Sequence, residues 1–438
     1  MLGIGGASMQ NLALLSQRLG MTVSGSDMVN THTIKFLNDR GIDACVGSDC
    51  SAIDRADLVV YSSAIDQNDT QLLYANSHGK MVLERKKYLA YVSSLFARVI
   101  GIAGSHGKST TSAMVSFVLD NLNCNLTTHL GCKPIGSDSF IYSDKHDIFV
   151  CEACEYRRSF LELSSFVGVI TCIDYDHPDT YPTRQSLYEA FGKFVQNSQN
   201  CIMSEQAKEI LQMPCISYGF GSDNDYIAIN IKENRGKYSC TIKHREQSVH
   251  ISLNVYGKFN ILNALCCVAV CNTLGYDMVE IVSILEKFCG IERRFECKGK
   301  MDNGARVIID YAHHPTEIAQ SISTASRIAK GKVWTIFQPH TYSRTAMLMQ
   351  EFVDSFYWSD EIILLPTYSA REVESDGMSS WELYKKMFDN GQVCIYMEDW
   401  TDVVSEVQRM SDSDDIILVL GAGDIYKMGD MLLGGYVG

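Results

Sequence analysis

The sequence predicts an α/β chain of three domains, and three observations carry that reading. Apolar strand-like runs alternate with helical patterns along the chain, and each run ends in a glycine-rich or polar loop, as in parallel sheets covered by helices. The alternation restarts near residues 98 and 293, which divides the chain into 1–97, 98–292 and 293–438. Between residues 226 and 255 the apolar period falls to two, with turn residues at Asn234-Arg235-Gly236, so an antiparallel insertion is expected beside the second sheet. A length of 438 residues, 46% of them apolar, suits two or three packed cores at about 150 residues per domain.

The first domain opens at Gly3, continues through a helical pattern over 9–19 and a strand over 22–27, and has a further strand over 57–63. So little precedes Gly3 that the first strand of this Rossmann-like sheet is expected to be a stub, the sequence starting late in it. Ser8 stands where a GxGxxG loop carries its third glycine, which counts against a nicotinamide dinucleotide. The second domain begins with a strand over 99–103, followed by runs over 147–151 and 167–171; the third carries runs over 307–309, 333–337, 362–365 and 416–420. Ligands of such sheets bind beyond the carboxyl ends of strands, so the loops after these runs are where function is to be sought.

Charge and cysteine usage narrow the partners. Against 52 Asp+Glu stand 38 Lys+Arg, a formal charge of −14 that repels phosphate backbones and anionic lipid, so neither nucleic acid nor membrane is an expected partner. No apolar run approaches the roughly 18 residues of a membrane span, and the start of the sequence lacks a basic region followed by a signal core. The reading is a cytoplasmic protein, monomer or homodimer, whose sixteen scattered cysteines are reduced thiols. Cys151 and Cys154 form a CxxC, but no second ligand pair follows at zinc spacing and the motif closes a strand, which argues against metal or redox chemistry.

After the strand over 99–103 comes Gly104-Ser105-His106-Gly107-Lys108-Ser109-Thr110-Thr111, then a helix carrying Met114, Val115, Val118 and Leu122. Backbone N–H groups of a glycine loop at a helix start cradle phosphate oxygens, a lysine reaches the terminal phosphates, and a hydroxyl supplies a Mg²⁺ ligand. The plain alternative is a turn with Ser109 capping the helix. Ile102 stands where the common eight-residue loop has its first glycine, so a variant with a shorter glycine loop is implied. Mg²⁺ requires hard oxygen ligands, and Glu152, at the end of the run over 147–151, is placed to give one. His177, in the polar cluster after the next strand, is a candidate for a second cation or for orienting phosphate.

Three stretches together, Gly104 to Thr111, Glu152-Ala153-Cys154-Glu155-Tyr156-Arg157-Arg158-Ser159-Phe160-Leu161 and Asp176-His177-Pro178-Asp179, resemble the Mur ligases of peptidoglycan synthesis. Later stretches extend the resemblance over essentially the whole chain: Gly257-Lys258-Phe259-Asn260-Ile261-Leu262-Asn263-Ala264, Arg293-Arg294-Phe295-Glu296, Asp310-Tyr311-Ala312-His313-His314-Pro315-Thr316-Glu317, Gln338-Pro339-His340-Thr341-Tyr342-Ser343-Arg344-Thr345 and Gly421-Ala422-Gly423-Asp424-Ile425. The resemblance implies an N-terminal UDP-substrate domain, a central P-loop ATPase-type domain and a C-terminal Rossmann-like domain that brings the amino acid. It implies a ligase using ATP and Mg²⁺ in which the lactyl carboxylate of UDP-N-acetylmuramate is phosphorylated and the amine of L-alanine displaces phosphate. A murein-peptide recycling ligase, or a nucleotide-binding regulator that ligates nothing, are the alternatives.

Position by position, the resemblance makes Lys108 the phosphate-loop lysine, Ser109 and Glu152 the magnesium ligands and His177 the histidine near a second metal. Gly104, Ser105, His106, Gly107 and Thr110 would complete the nucleotide cradle, with Asn260, Asn263, Arg294 and Asp310 near the nucleotide. Gly5, Gly6 and Asp27 would meet the UDP group, while Tyr311 and Arg344 would hold the amino acid, the guanidinium pairing with its carboxylate. Catalytic weight would rest on Lys108, Glu152, His177 and Arg344. Two positions depart from the pattern: a single aspartate precedes Tyr311 where relatives often carry a pair, and Thr341 stands where some carry arginine.

Overall fold

The computed structural model describes residues 1–30, 32–138, 140–177, 179–370, 372 and 379–435; Pro178 of the Asp-His-Pro-Asp run and the last three residues of the third stretch lie outside them. The described chain is α/β throughout, as the alternating pattern predicts. It divides into two compact units: Met1–Asn230 with Cys240–Ile251 and Ile261–Phe288, and Ile231–Ser239 with Ser252–Asn260 and Cys289–Gly438. Among the described residues no helix is long and apolar enough to cross a membrane.

The N-terminal sheet is joined through one residue, Leu2. Strands Ser24–Asp27 and Asp43–Val46 pair in parallel, as do Leu58–Tyr61 and Met81–Glu84, and Leu2 bridges Ser26 on one side and Tyr61 on the other. Leu2 N–H donates to Val60 O at 2.8 Å and its carbonyl accepts from Ser62 N at 3.0 Å. The stub expected at the start of the chain is this single-residue bridge between the two strand pairs, and it delivers Gly3–Gly6 to the start of helix Ala7–Arg18.

A nine-stranded sheet forms the middle of the chain. Its order is Gln247–Tyr256, Lys237–His244, Tyr226–Asn234, Ile216–Gly219, Ser198–Ser204, Ser165–Ile170, Arg98–Ala103, Ile148–Glu152, Leu126–His129. Arg98–Ala103 runs parallel to both neighbours, Ile148–Glu152 and Ser165–Ile170, so three carboxyl ends meet at one place. Those strands read as near-continuous apolar runs because both faces are covered: Ile148, Phe149, Val150 and Cys151 are all fully buried. The segment after Glu152 is pinned by Phe160, whose ring stacks 5.2 Å from Phe194 and meets Phe191 edge-on at 5.2 Å.

The period-two region is the expected insertion. Strands Tyr226–Asn234, Lys237–His244 and Gln247–Tyr256 are consecutive in the sheet and joined by two-residue turns. Arg235 (φ 48°) and Gly236 (φ 75°) both have positive φ, the requirement of the tight turn that matches antiparallel twist. The second unit holds a six-stranded sheet ordered Glu296–Lys300, Arg306–Asp310, Ile416–Leu420, Val333–Phe337, Glu361–Leu364, Cys394–Tyr396, parallel except for its first strand. The short strands over 43–46, 81–84 and 394–396 have no sequence signal of their own, being four residues or fewer and half exposed.

Candidate functional site

Strand Arg98–Ala103 ends in the glycine loop, and helix Lys108–Asn121 follows it. Gly104 (φ 132°) and Gly107 (φ 82°) hold conformations that side-chain-bearing residues avoid. A Cβ on Gly104 would collide with the Thr171 hydroxyl, and one on Gly107 would stand 2.8 Å from Asn263 Oδ1. No side chain caps the helix, so its first N–H groups stay available to an anion. The capping alternative for Ser109 does not hold: its hydroxyl donates to Glu152 Oε2 at 2.9 Å.

Lys108 is folded back on its own loop. Its ammonium donates to the carbonyls of Gly104 and, at 3.2 Å, Ser105, and it lies 3.0 Å from both oxygens of Glu155. Burial alone would discharge the amine, but Glu155, with Cys154 and Glu152 nearby, holds it firmly protonated. Burial opposes ionisation of Glu155 as well, and Lys108 and His177 outweigh it, drawing the carboxyl below its ordinary range. His177 Nε2 stands 3.6 Å from Glu155 Oε1 and 3.7 Å from Asp176 Oδ2, at a backbone φ of 56°. Tyr181 fixes the loop from behind, its hydroxyl donating to Glu155 O at 2.6 Å.

Glu155 is the functional residue that motif reading passed over. It was visible as the second acid of the Glu-Ala-Cys-Glu run, yet spacing could not say which of two glutamates faces the lysine and which the serine. The structure separates them. Glu152 joins Ser109 and accepts Gly131 N–H at 2.7 Å on its other oxygen. The Ser109–Glu152 pair offers two hard oxygens, the donor set Mg²⁺ takes when phosphates and water fill its remaining positions. Among the described residues no three His, Cys, Asp or Glu form a cluster that would hold a metal by themselves. His106 Nε2 lies 3.0 Å from Asp174 Oδ2, and the Ser105 hydroxyl donates to Asp174 O at 2.8 Å, so the strand end after Ile170 anchors the glycine loop. Burial pushes the thiols of Cys151 and Cys154 up to about 12 and about 11, and Cys172 up as well; all three are free.

At the N-terminal glycine loop, Gly5 N–H donates to Asp27 Oδ2 at 2.8 Å and Gly6 occupies the cap position of helix Ala7–Arg18 without a side-chain cap. Asp27 thus braces the loop, its other oxygen accepting Val29 N–H at 3.1 Å. Thr111 Oγ1 donates to Asn263 Oδ1 at 3.2 Å beneath the phosphate loop.

The second unit gathers a separate set. Arg294 Nη1 lies 3.2 Å from Glu317 Oε1, and its guanidinium carbon is 5.1 Å from the Tyr311 ring centre, with Arg293 at 4.8 Å. Asp310 is buried and accepts from Ser321; burial pushes its carboxyl up to about 6 despite Arg294 and Ser321. Arg344 is buried on the short helix Tyr342–Met347, its Nη1 3.3 Å from both His340 Nδ1 and His340 O. His340 meets His313 edge-on at 5.9 Å, and His313 meets Tyr311 at 5.2 Å, so Tyr311 and Arg344 are linked through two imidazoles. Asn260, assigned to the nucleotide by resemblance, donates to Tyr256 O at 2.7 Å. Glu317, the partner of Arg294, closes the stretch that begins at Asp310, but no sequence signal assigned it a role of its own.

Comparisons with known proteins cover all three stretches. Family models described as Mur ligase family catalytic domain, Mur ligase middle domain and Mur ligase glutamate ligase domain match residues 1–97, 102–271 and 293–423. The chain is 37% identical over 447 residues to the UDP-N-acetylmuramate–L-alanine ligase of Caldicellulosiruptor bescii, covering 99% of this chain and 97% of that one. It is 37% identical over 442 residues to the ligase of the same name from Clostridium acetobutylicum, covering 99% and 96%. Among solved structures, UDP-N-acetylmuramate-alanine ligase from Thermotoga maritima superimposes with a TM-score of 0.84 at 24% identity, over 99% of this chain and 97% of that one. A murein peptide ligase from Psychrobacter arcticus gives 0.72 at 21%, over 100% and 98%.

Proposed function

This chain belongs to the Mur ligase family, and from that premise we propose that it joins L-alanine to the lactyl carboxylate of UDP-N-acetylmuramate, with conversion of ATP to ADP and phosphate. The observation that carries the reading is the phosphate loop, where Lys108 and the Ser109–Glu152 pair stand side by side at the meeting of three strand ends. Full-length identity to L-alanine ligases supports alanine as the amine.

A carboxylate is a poor electrophile, so the reaction divides in two. A carboxylate oxygen attacks the γ-phosphorus of ATP, a P–O bond forms, and ADP departs. The alanine nitrogen then attacks the acyl carbon, the C–O bond to phosphate breaks, and the amine proton is lost. Lys108 leaves Glu155 to follow the charge of the transferring phosphoryl group, a preorganised electrostatic role. Ser109 and Glu152 would hold Mg²⁺, with His177 at a second position, and the ion supplies further charge neutralisation when bound. Gly104–Thr110 grip phosphate oxygens, and Asn260, Asn263, Arg294 and Asp310 serve the nucleotide. Gly5, Gly6 and Asp27 serve the UDP group, and Tyr311 with Arg344 hold alanine. The division into 1–97, 98–292 and 293–438 follows these roles.

The test is phosphate release by purified protein supplied with UDP-N-acetylmuramate, ATP and Mg²⁺. Release that depends on L-alanine supports the reading; none at saturating concentrations overturns it. Competition between alanine and a preformed tripeptide separates this activity from peptide recycling.

A further inference from the structure

Arg85 is a cation whose charge the fold leaves unbalanced. It begins helix Arg85–Ser93, and its Nη1 donates to Ser8 Oγ at 2.9 Å, in the first turn of helix Ala7–Arg18. Among the described residues no carboxylate pairs with it, whereas the adjacent Lys86 lies 3.6 Å from Glu84 and 3.9 Å from Glu162. Ser8 Oγ is also 2.9 Å from His129 Nε2, at the end of strand Leu126–His129. Burial first, then Arg85, lowers the His129 imidazole to about 3, so the ring is neutral and adds no charge.

The hydrogen bonds can be followed one proton at a time. Arg85 only donates, so Ser8 Oγ accepts from it and its own proton is directed to His129 Nε2. The ring proton then resides on Nδ1, a buried atom with no hydrogen-bond partner among the described residues. Asn11, one turn further along the same helix, donates to Leu130 O at 2.6 Å and fixes helix against strand end. Arg85 is therefore held in position by neutral groups that cost it none of its charge.

Its place identifies the anion it awaits. Arg85 shares a small cleft with Glu152, Cys154 and Ser159, and Glu152 is the glutamate bound to Ser109. On the function proposed above, the group accepting the γ-phosphoryl approaches Ser109 and Glu152 as a carboxylate beside an acidic side chain, and Arg85, with Lys86, lines the space next to that glutamate. A planar guanidinium offers two parallel donors matched to that group. Resting on the function proposed above, we propose that Arg85, positioned by Ser8 and His129, is the specificity residue that receives the reacting carboxylate of the sugar substrate.

Calorimetric titration of the full chain with two ligands tests this. UDP-N-acetylmuramate carries the lactyl carboxylate; UDP-N-acetylglucosamine has a free 3-hydroxyl in place of the whole lactyl ether. For Arg85→Gln, affinity for the first should fall about 10- to 100-fold, the range of a hydrogen bond to a charged group, while affinity for the second and for ADP stays within about twofold. Arg85→Lys, which keeps the charge and stem but not the fork, should show the same selective loss at smaller size, and it decides the matter if the glutamine variant does not fold. Equal losses for both UDP-sugars would assign Arg85 to the diphosphate, and no loss for the muramate would leave it a packing residue; either overturns the proposal. A wild-type protein that binds neither sugar overturns the ligase reading itself.

Discussion

Lys108 and Arg294 are both cations set against glutamates, and their surroundings differ in one respect that separates an exchangeable pair from a committed one. Lys108 faces a single carboxylate, Glu155, that His177 also approaches, and both charged partners are stabilised by the pairing. Arg294 faces two: Glu317 at 3.2 Å, and Asp310, whose carboxyl is left at about 6. The first cluster balances charge one for one, so an incoming phosphate can take the place of Glu155 without leaving a cation alone. The second has an acid in excess and an arginine committed to a neighbour and to the Tyr311 ring. A ligand-exchangeable pair and an over-subscribed one look alike in sequence as a basic residue near acids.

The largest expected effect tests the first half of that contrast. Lys108→Ala should lower turnover by about 10³-fold, the scale of losing one preorganised donor to a developing charge, while affinity for UDP-N-acetylmuramate measured by calorimetry is unchanged. Normal turnover would mean that Lys108 stays with Glu155 through the reaction, bound to its neighbour as firmly as Arg294 is to Glu317.

Glu155→Gln comes next. Removing one member of a buried pair costs about 3–5 kcal/mol, and the loss should fall on the empty protein, since bound nucleotide supplies the missing negative charge. The melting temperature without nucleotide should drop, and the rise on adding ADP should exceed that of wild type. An equal rise in both would show that Glu155 and phosphate do not compete for Lys108.

Asp310 sharpens the other half. Its folded value of about 6 lies above the ordinary 3.8, so the native state binds the proton more tightly than the unfolded chain does. The resulting stability is complete below about pH 4 and is lost as pH rises through about 6, amounting to about 3 kcal/mol at about 1.4 kcal/mol per unit. Chemical denaturation of Asp310→Asn across pH 4–7 should show that slope removed. An unchanged slope would mean that Arg294 balances both acids.

The smallest effect concerns backbone alone. Gly107→Ala forces a side chain into φ 82° with a Cβ 2.8 Å from Asn263 Oδ1. A stability loss of about 1–3 kcal/mol is expected in urea melts, and Asn263→Ala should relieve the contact but not the backbone strain.

The fold was legible where pattern and period govern it. The buried strands over 148–152, 165–170 and 416–420 announce themselves as apolar runs, and the alternating stretch with Arg235-Gly236 announces a hairpin. Leu2 carries no such signal: a single-residue bridge is recognisable only when Ser26 and Tyr61 lie on either side of it. The site divides the same way. Lys108 and Ser109 were readable from the loop motif and Glu152 from the end of an apolar run, and the structure brings Ser109 and Glu152 together. Glu155 and Glu317 lie within motif stretches, yet their roles, like that of Arg85, emerge only through partners distant in sequence, because charge balance is a property of the packed site and not of any window along the chain.

The thiols beside the phosphate loop have a practical consequence. Peroxide attacks thiolate, and with Cys154 raised to about 11 only about one molecule in ten thousand carries one there at neutral pH. Cys172, raised by the same burial, is shielded likewise. The two thiols beside the nucleotide grip should therefore react slowly with peroxide.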